Sequence, residues 1–321
     1  MTSAALRAVL VLICALAGQA LAQPFPAKPI RIVVPWTPGG VTDVLTRAVA
    51  LQMSESLGQQ VVVENRPGAG GTIGIAAVTK AAPDGYTLVM TDVPSHAISA
   101  SLYAKLPYDV AKDLEPIAMA AGSPMVLATH PGMNARNLAE FLQVVRASPG
   151  KYAYASSGNG SITHLAMERL KRMAGIELTH IPFKGTVPAI QSVLAADTAM
   201  GFGTIPGVAS HAKAGKLALL GVSFSRRFSQ LPDVPPIAEQ VPGYDMGFYT
   251  ALFAPAKTPK DVIDRLHADT MKALAHPKTR EIYANSAAEP GTMSPAELQA
   301  YVTREIKEWA EVVRATGLKI D

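Results

Sequence analysis

The stretch Ile30-Arg31-Ile32-Val33-Val34-Pro35-Trp36-Thr37-Pro38-Gly39-Gly40-Val41-Thr42-Asp43 decides how this chain folds. Its β-branched start reads as a buried strand over residues 30–35. Prolines and adjacent glycines then break the strand, and Thr42 or Asp43 stands where a helix cap belongs. The helix that follows, residues 42–57, carries Val44, Leu45, Ala48 and Leu51 on one face. Strand 61–64, helix 72–81 and strand 87–91 complete a strand–helix–strand–helix–strand series. That order belongs to a parallel sheet with helices on both faces. A similar alternation restarts at 126–129 and continues through 138–146, 152–156, 164–174 and 178–181. A chain of 321 residues, 49% of them apolar, can bury two cores. Single cores become uncommon beyond about 250 residues, so two α/β domains in series are expected.

The first residues read as an address. Arg7 gives a short positive region, residues 8–17 are continuously apolar, and Ala20-Leu21-Ala22 supplies the small-x-small cleavage pattern. Cleavage is expected after Ala22, giving an exported, periplasmic protein. The apolar run is shorter than the roughly 20 residues a bilayer needs, which argues against an anchor. Cys14 follows Val11-Leu12-Ile13 inside the apolar run, where a lipidation site needs a small residue. It is also the sole cysteine, so the cleaved chain has no thiolate metal site, cysteine nucleophile or disulfide. The net charge of +4 is spread without a Lys/Arg block, which excludes the usual nucleic-acid binder.

Helix starts are well marked elsewhere. Asn137-Leu138-Ala139-Glu140 and Ser294-Pro295-Ala296-Glu297 fit the capping box, and Thr258-Pro259-Lys260-Asp261 is close to it. The final helix carries Leu298, Tyr301, Val302, Ile306, Trp309, Val312 and Val313 at three- and four-residue steps. Trp309 is therefore read as core and not as a ligand platform.

Three strand-to-helix loops have the composition to hold an anion, with a plain tight or solvated turn as the alternative at each. In the first, residues 35–43, glycines admit close backbone approach, and the helix start behind them offers unpaired N–H groups and a positive dipole end. The second, Ser156-Ser157-Gly158-Asn159-Gly160-Ser161-Ile162-Thr163-His164, holds more hydrogen-bonding side chains than a structural turn needs. Within it, His164 alone reads more readily as a capping or packing residue than as a ligand contact. The third is Pro182-Phe183-Lys184-Gly185-Thr186-Val187-Pro188-Ala189. Lys184 there is as compatible with solvent as with an anion.

Gly68-Ala69-Gly70-Gly71-Thr72-Ile73-Gly74, with Asp92 about 20 residues on, imitates a dinucleotide fingerprint. The spacing fails, because a G-x-G-x-x-G beginning at Gly68 needs glycine where Ile73 stands. No G-x-S-x-G elbow surrounds Ser156 or Ser157, and no H-x-x-x-H pair occurs, so no catalytic residue or metal ligand is assigned. An NAD(P)-dependent oxidoreductase using residues 61–92, and a ligand sensor for a signalling partner, are the alternatives to a binding protein.

Taken in order, these segments resemble the Bug family, the substrate-binding receptors of tripartite tricarboxylate transporters. The resemblance runs along the whole chain after residue 22. It rests on Ile32-Val33-Val34-Pro35-Trp36-Thr37-Pro38-Gly39-Gly40 with Asp43, and on Val63-Glu64-Asn65-Arg66-Pro67-Gly68-Ala69-Gly70-Gly71. Pro83-Asp84-Gly85-Tyr86, Ser156-Ser157-Gly158-Asn159-Gly160-Ser161 with His164, Pro182-Phe183-Lys184-Gly185 and Leu231-Pro232-Asp233-Val234-Pro235 continue it.

What the resemblance implies is a type II periplasmic binding protein whose chain crosses between domains twice. Residues 23–123 and 224–321 would form one domain and 124–223 the other, with a small carboxylate in the cleft between them. The ligand residues it implies are Trp36, Thr37, Gly39, Gly40, Asp43 and Ser95 from the first domain. From the second come Ser156, Ser157, Asn159, Ser161, Thr163, His164, Lys184 and Thr186. It also implies a monomer without cofactor or metal, docking transiently to a membrane permease. The chain departs from the family pattern at Val41, Ala199 and Tyr249, which bears on which acid is bound.

Overall fold

The computed structural model describes residues 25–317; the segment read as a signal peptide, residues 1–22, lies outside the described residues. Strand β1 (Ile30–Val34) leads to helix α1 (Val41–Leu57), β2 (Val61–Asn65) to α2 (Thr72–Thr79), and β3 (Thr87–Asp92) to α3 (Val93–Leu102). The three strands are parallel, with β1 in the middle. After helix α4 (Leu138–Arg146) a second set of units follows: β5 (Ala153–Ser156) with α5 (Ile162–Ala174), β6 (Thr179–Pro182) with α6 (Thr186–Leu194), and β7 (Met200–Thr204) with α7 (Ile205–Lys213). Here β5 lies between β6 and β7, again parallel.

One long strand joins the two sets. β4 (Leu114–Thr129) was expected only over residues 126–129, because Pro116 and Pro124 and the small residues between hide its length. Its first part pairs antiparallel with β9 (Gly247–Pro255), from Leu114 opposite Pro255 to Pro124 opposite Gly247. Its last five residues pair with β7 on one side, and its last four with β8 (Ala218–Val222) on the other. The chain therefore crosses once along β4 and again between Val222 and Gly247. The result is two α/β domains built alike, with strand orders β2-β1-β3-β9-β4 and β6-β5-β7-β4-β8.

The register shows where the strands end. Asp92, the last residue of β3, is opposite Thr250, which is opposite Ala121 of β4. Thr204, the last residue of β7, is opposite Met125. β3 runs along β4 and β7 runs against it, so the carboxyl ends of the two parallel sets approach the middle of β4 from opposite directions. Four residues of β4 separate the two levels, about 13 Å at ~3.3 Å per residue. Ligands of open α/β sheets bind at such carboxyl ends.

Each domain buries apolar residues on both faces of its sheet. In the first, Ile32, Val34, Leu45, Met53, Leu88 and Leu266 pack together, and Val33, Val89, Phe253 and Leu298 fill the other face. In the second, Leu127, Phe141, Tyr154 and Leu165 form one side, and Val126, Ile190, Val208 and Val222 the other. Two helices (α8, Lys260–Ala275; α9, Pro277–Asn285) and the short β10 (Glu289–Pro290) precede the last helix, α10 (Pro295–Thr316). α10 spans both cores, with Leu298 and Val302 in the first domain and Trp309 and Val312 in the second. Trp309 is a core residue, its indole N–H donating to Glu305 at 3.0 Å.

The capping motifs divide. Ser294 and Glu297 make the full reciprocal box. Asn137 accepts from the Glu140 amide, but Glu140 returns its bonds to the Arg136 amide and the Asn137 side chain. Thr258 makes no cap, because its hydroxyl donates backwards to the Pro255 carbonyl and Pro259 takes the cap position.

Candidate functional site

Six strand-to-helix junctions lie at the carboxyl ends of the two parallel sets. At four of them, no side chain caps the helix: Gly40 at α1, Gly71 at α2, Gly185 at α6 and Thr204 at α7. Helix starts leave four amide donors without intrahelical partners and carry about half a positive charge. Uncapped starts gathered at one level of a sheet make an anion site. The other two junctions are capped internally, α3 by Asp92 and α5 by Ser161.

In the first loop the cap is Gly40, and neither Thr42 nor Asp43 takes that place. Asp43 sits one turn into the helix and reaches back, accepting from the Gly39 amide at 2.9 Å. Its buried carboxylate also accepts from Asn65 Nδ2 at 2.9 Å and from Arg47. Burial raises the pKa of Asp43, and the bonds from Arg47, Gly39 and Asn65 together outweigh it, so the net direction is down. The carboxylate and the Gly39 amide are thus committed to the loop's own shape. Gly39 adopts φ +80°, a conformation suited to glycine. Thr37, Gly39 and Gly40 are exposed, whereas the indole Nε1 of Trp36 is buried.

The second loop is held largely by its own side chains. Ser157 N donates to Thr163 Oγ1 at 2.9 Å, and Gly158 N to Ser156 Oγ at 3.1 Å. Gly160 N donates to His164 Nδ1 at 3.0 Å, which fixes that nitrogen as an acceptor. The Ser161 hydroxyl donates to the Gly158 carbonyl at 2.7 Å. Many of the hydroxyls that marked this loop are therefore engaged within it, and Asn159 stands exposed at its tip. The third loop docks on the second: Gly185 N and Phe183 N donate to the carbonyls of Ser157 and Ser156. Lys184 is exposed beside them, and Thr186 begins α6 half-buried.

Beneath the second loop lies a group that sequence reasoning missed. His180 Nε2 is 2.6 Å from Ser156 Oγ, and its ring stacks between His164 and Tyr154. Tyr154 donates to Glu168 at 2.7 Å, and Lys171 pairs with the same carboxylate. Burial is the main cause that lowers both histidines, His164 to about 4. His180 sits in an ordinary strand pattern, and no local signal distinguishes it.

A second group at the carboxyl end of the first domain's sheet joins the expected Ser95 to Asp92 and Thr250, which sequence reasoning missed as site residues. Asp92 is buried, and Ser95 N donates to it at 3.3 Å. Ser95 Oγ and Thr250 Oγ1 are buried without a hydrogen-bond partner among the described residues. Of the family departures, Val41 is the first residue of α1, and Ala199 bonds through its backbone to Ala153 and His130. Tyr249 packs between Phe224 and Tyr301 and donates to Asp245 at 2.9 Å.

Residues 45–318 match the model of the tripartite tricarboxylate transporter family receptor. Protein BugT of Bordetella pertussis is 37% identical over 98% of both chains. Among solved structures, R. palustris Rpa4515 with adipate aligns with a TM-score of 0.81 at 31% identity, over 92% of this chain and all of that one. MatC from Rhodopseudomonas palustris with bound malate gives 0.77 at 31% identity, over 90% of this chain and all of the other. The chain belongs to the tripartite tricarboxylate transporter receptor family, whose members are periplasmic solute-binding receptors and not enzymes.

Proposed function

We propose that this member of the receptor family captures a small carboxylate between its two domains and hands it to a membrane permease. The observation that carries the reading is the uncapped start of α1 at Gly40, with uncapped starts at Gly185 and Thr204 in the other domain. Each helix start contributes roughly 0.3–1 kcal/mol to an anion at an exposed surface, and more once closure excludes water. The adipate and malate complexes of the two similar receptors support a carboxylate as the class of ligand.

In this reading the domains divide at the crossings, residues 23–123 and 224–321 against 124–223, and rotate about β4 and β9. Trp36, Thr37 and Gly40 receive the ligand in the first domain, with Gly39 and Asp43 shaping their loop and Ser95 below. Asn159 completes the contact from the second, in a loop that Ser156, Ser157, Ser161, Thr163 and His164 hold in shape. Lys184 and Thr186 flank it. Export follows cleavage after Ala22, and the closed monomer docks to its permease.

Calorimetry with a panel of mono-, di- and tricarboxylates on the exported protein tests the reading. At least one acid should bind, and Gly40→Val should weaken it about tenfold or more. Failure of every acid to bind would remove carboxylate capture. The intact mass of protein recovered from the periplasm reads the cleavage site directly.

A further inference from the structure

The glycine-rich stretch that imitates a dinucleotide fingerprint, residues 68–74, has a different duty in the fold. Its helix start presses on the first loop. Gly71 has φ +92°, and a Cβ there would stand 3.4 Å from the Trp36 ring atoms Cη2 and Cζ2 and from Pro35 Cβ. Gly74, three residues on and so on the same face of α2, leaves less room still. A Cβ at Gly74 would be 2.8 Å from the Arg66 carbonyl oxygen and 2.9 Å from Pro35 Cβ. Glycine lets α2 approach this closely, and the Trp36 ring lies against its uncapped start.

The backbone of Trp36 is held from another direction by Asn65. Register places Asn65, the last residue of β2, beside Val34, the last residue of β1. Its side chain therefore reaches the loop that leaves β1. Nδ2 donates to the Trp36 carbonyl at 3.1 Å and to Asp43 at 2.9 Å, and Oδ1 accepts from Arg47 at 2.9 Å. A carboxamide nitrogen has two N–H donors, and both are used here on acceptors that an ionised carboxylate could not satisfy. The charged groups nearby are paired, Arg47 with Asp43, and Glu64 with Arg31 and Arg66.

We propose that Asn65 and Gly71 are positioning residues, which together set the backbone and ring of Trp36 in the pose that receives the carboxylate. This assignment rests on the first loop as the receiving site and adds what holds that loop from outside. Asn65 fixes the carbonyl of Trp36, so the peptide leading to Thr37 keeps one orientation. Gly71 fixes how closely the ring approaches α2. Neither residue touches the ligand in this role. The end of β2 and the glycines behind it thus act as one clamp around Trp36. The spacing of those glycines answers to a tryptophan, which is why it departs from a fingerprint that answers to a pyrophosphate.

Trp36 and Trp309 are the sole tryptophans of the chain, so labelling with fluorotryptophan gives one fluorine resonance for each, told apart by Trp36→Phe. Asn65→Asp puts an acceptor where the donors stood. That variant and Gly71→Ala should each move the Trp36 resonance and leave that of Trp309, in the second domain's core, in place. Calorimetric affinity for the best bound of malate, adipate and succinate should fall about tenfold in both. Adding Asp43→Asn to Asn65→Asp returns a bond between the two side chains but no donor for the Trp36 carbonyl. Melting temperature should then recover, while the resonance and the affinity should not. The assignment is overturned if the Trp36 resonance stays in place in both single variants, if affinity survives its displacement, or if the double variant recovers both. Where one variant fails to fold, seen as a displaced Trp309 resonance, the other decides. If none of the three acids binds the unsubstituted chain, carboxylate capture fails, and the Trp36 resonance alone judges the clamp.

Discussion

The imidazole rings of His164 and His180 lie face to face, with centroids 4.0 Å apart and planes 9° from parallel. One ring accepts from the Gly160 amide and the other meets the Ser156 hydroxyl, so the pair joins both ends of the second loop. Two positive charges at that separation would repel, and burial disfavours even one.

Acid should therefore loosen this loop. The pKa of His164 is lowered from 6.5 to about 4, chiefly by burial and then by His180. Between those values the unfolded chain holds a proton that the folded chain refuses, so stability is full above 6.5 and falls as pH drops towards 4. The interval corresponds to roughly 3 kcal/mol. Melting temperature should fall between pH 7 and pH 4.5, and His164→Gln should flatten that slope. An unchanged slope in the variant would show that another group carries the acid sensitivity.

His180 should matter to binding without touching ligand. His180→Phe keeps the stacked ring but removes the bond to Ser156, whose hydroxyl keeps only its bonds to Gly158, a loss of about 0.5–1.5 kcal/mol. Ligand affinity should fall about tenfold while the first loop is unaffected. Hydrogen exchange at Ser157 and Gly158 should rise in the variant, and protected amides there would contradict the role.

The two adjacent glycines should respond differently. Gly39 has φ +80° with open space around an added methyl, so Gly39→Ala costs backbone strain of about 1–2 kcal/mol. Gly40 has φ −71°, and its added methyl would meet only the Thr37 carbonyl at an ordinary 3.5 Å. Gly40→Ala should leave the melting temperature nearly unchanged. A comparable loss in both variants, read by thermal denaturation, would mean that Gly40 has a structural duty of its own.

Asp43 should act as the loop's internal strut. Asp43→Ala frees the Gly39 amide, the Asn65 side chain and Arg47 at once. A loss of about 1–3 kcal/mol is expected, together with weaker ligand binding. Because the Asp43 pKa is lowered, its contribution is present above the ordinary carboxylate range and fades as pH falls through it. Asp43→Asn keeps an acceptor for Gly39 and should retain part of the stability; equal losses in the two variants would contradict the amide bond's importance.

Local periodicity and punctuation determined the alternating elements, the two-domain α/β architecture and the loops at the strand ends, because those signals lie within a few residues of one another. Trp309 was legible as core for the same reason. Two things were settled only by the tertiary structure. The length of β4 depends on partners in β9, β7 and β8, which are remote in sequence. The occupation of donors in the Gly39 and Ser156 loops depends on side chains such as Asn65 and His180 arriving from other strands. Hydrogen bonds and desolvation are decided by neighbours in space, and a sequence pattern specifies only neighbours along the chain.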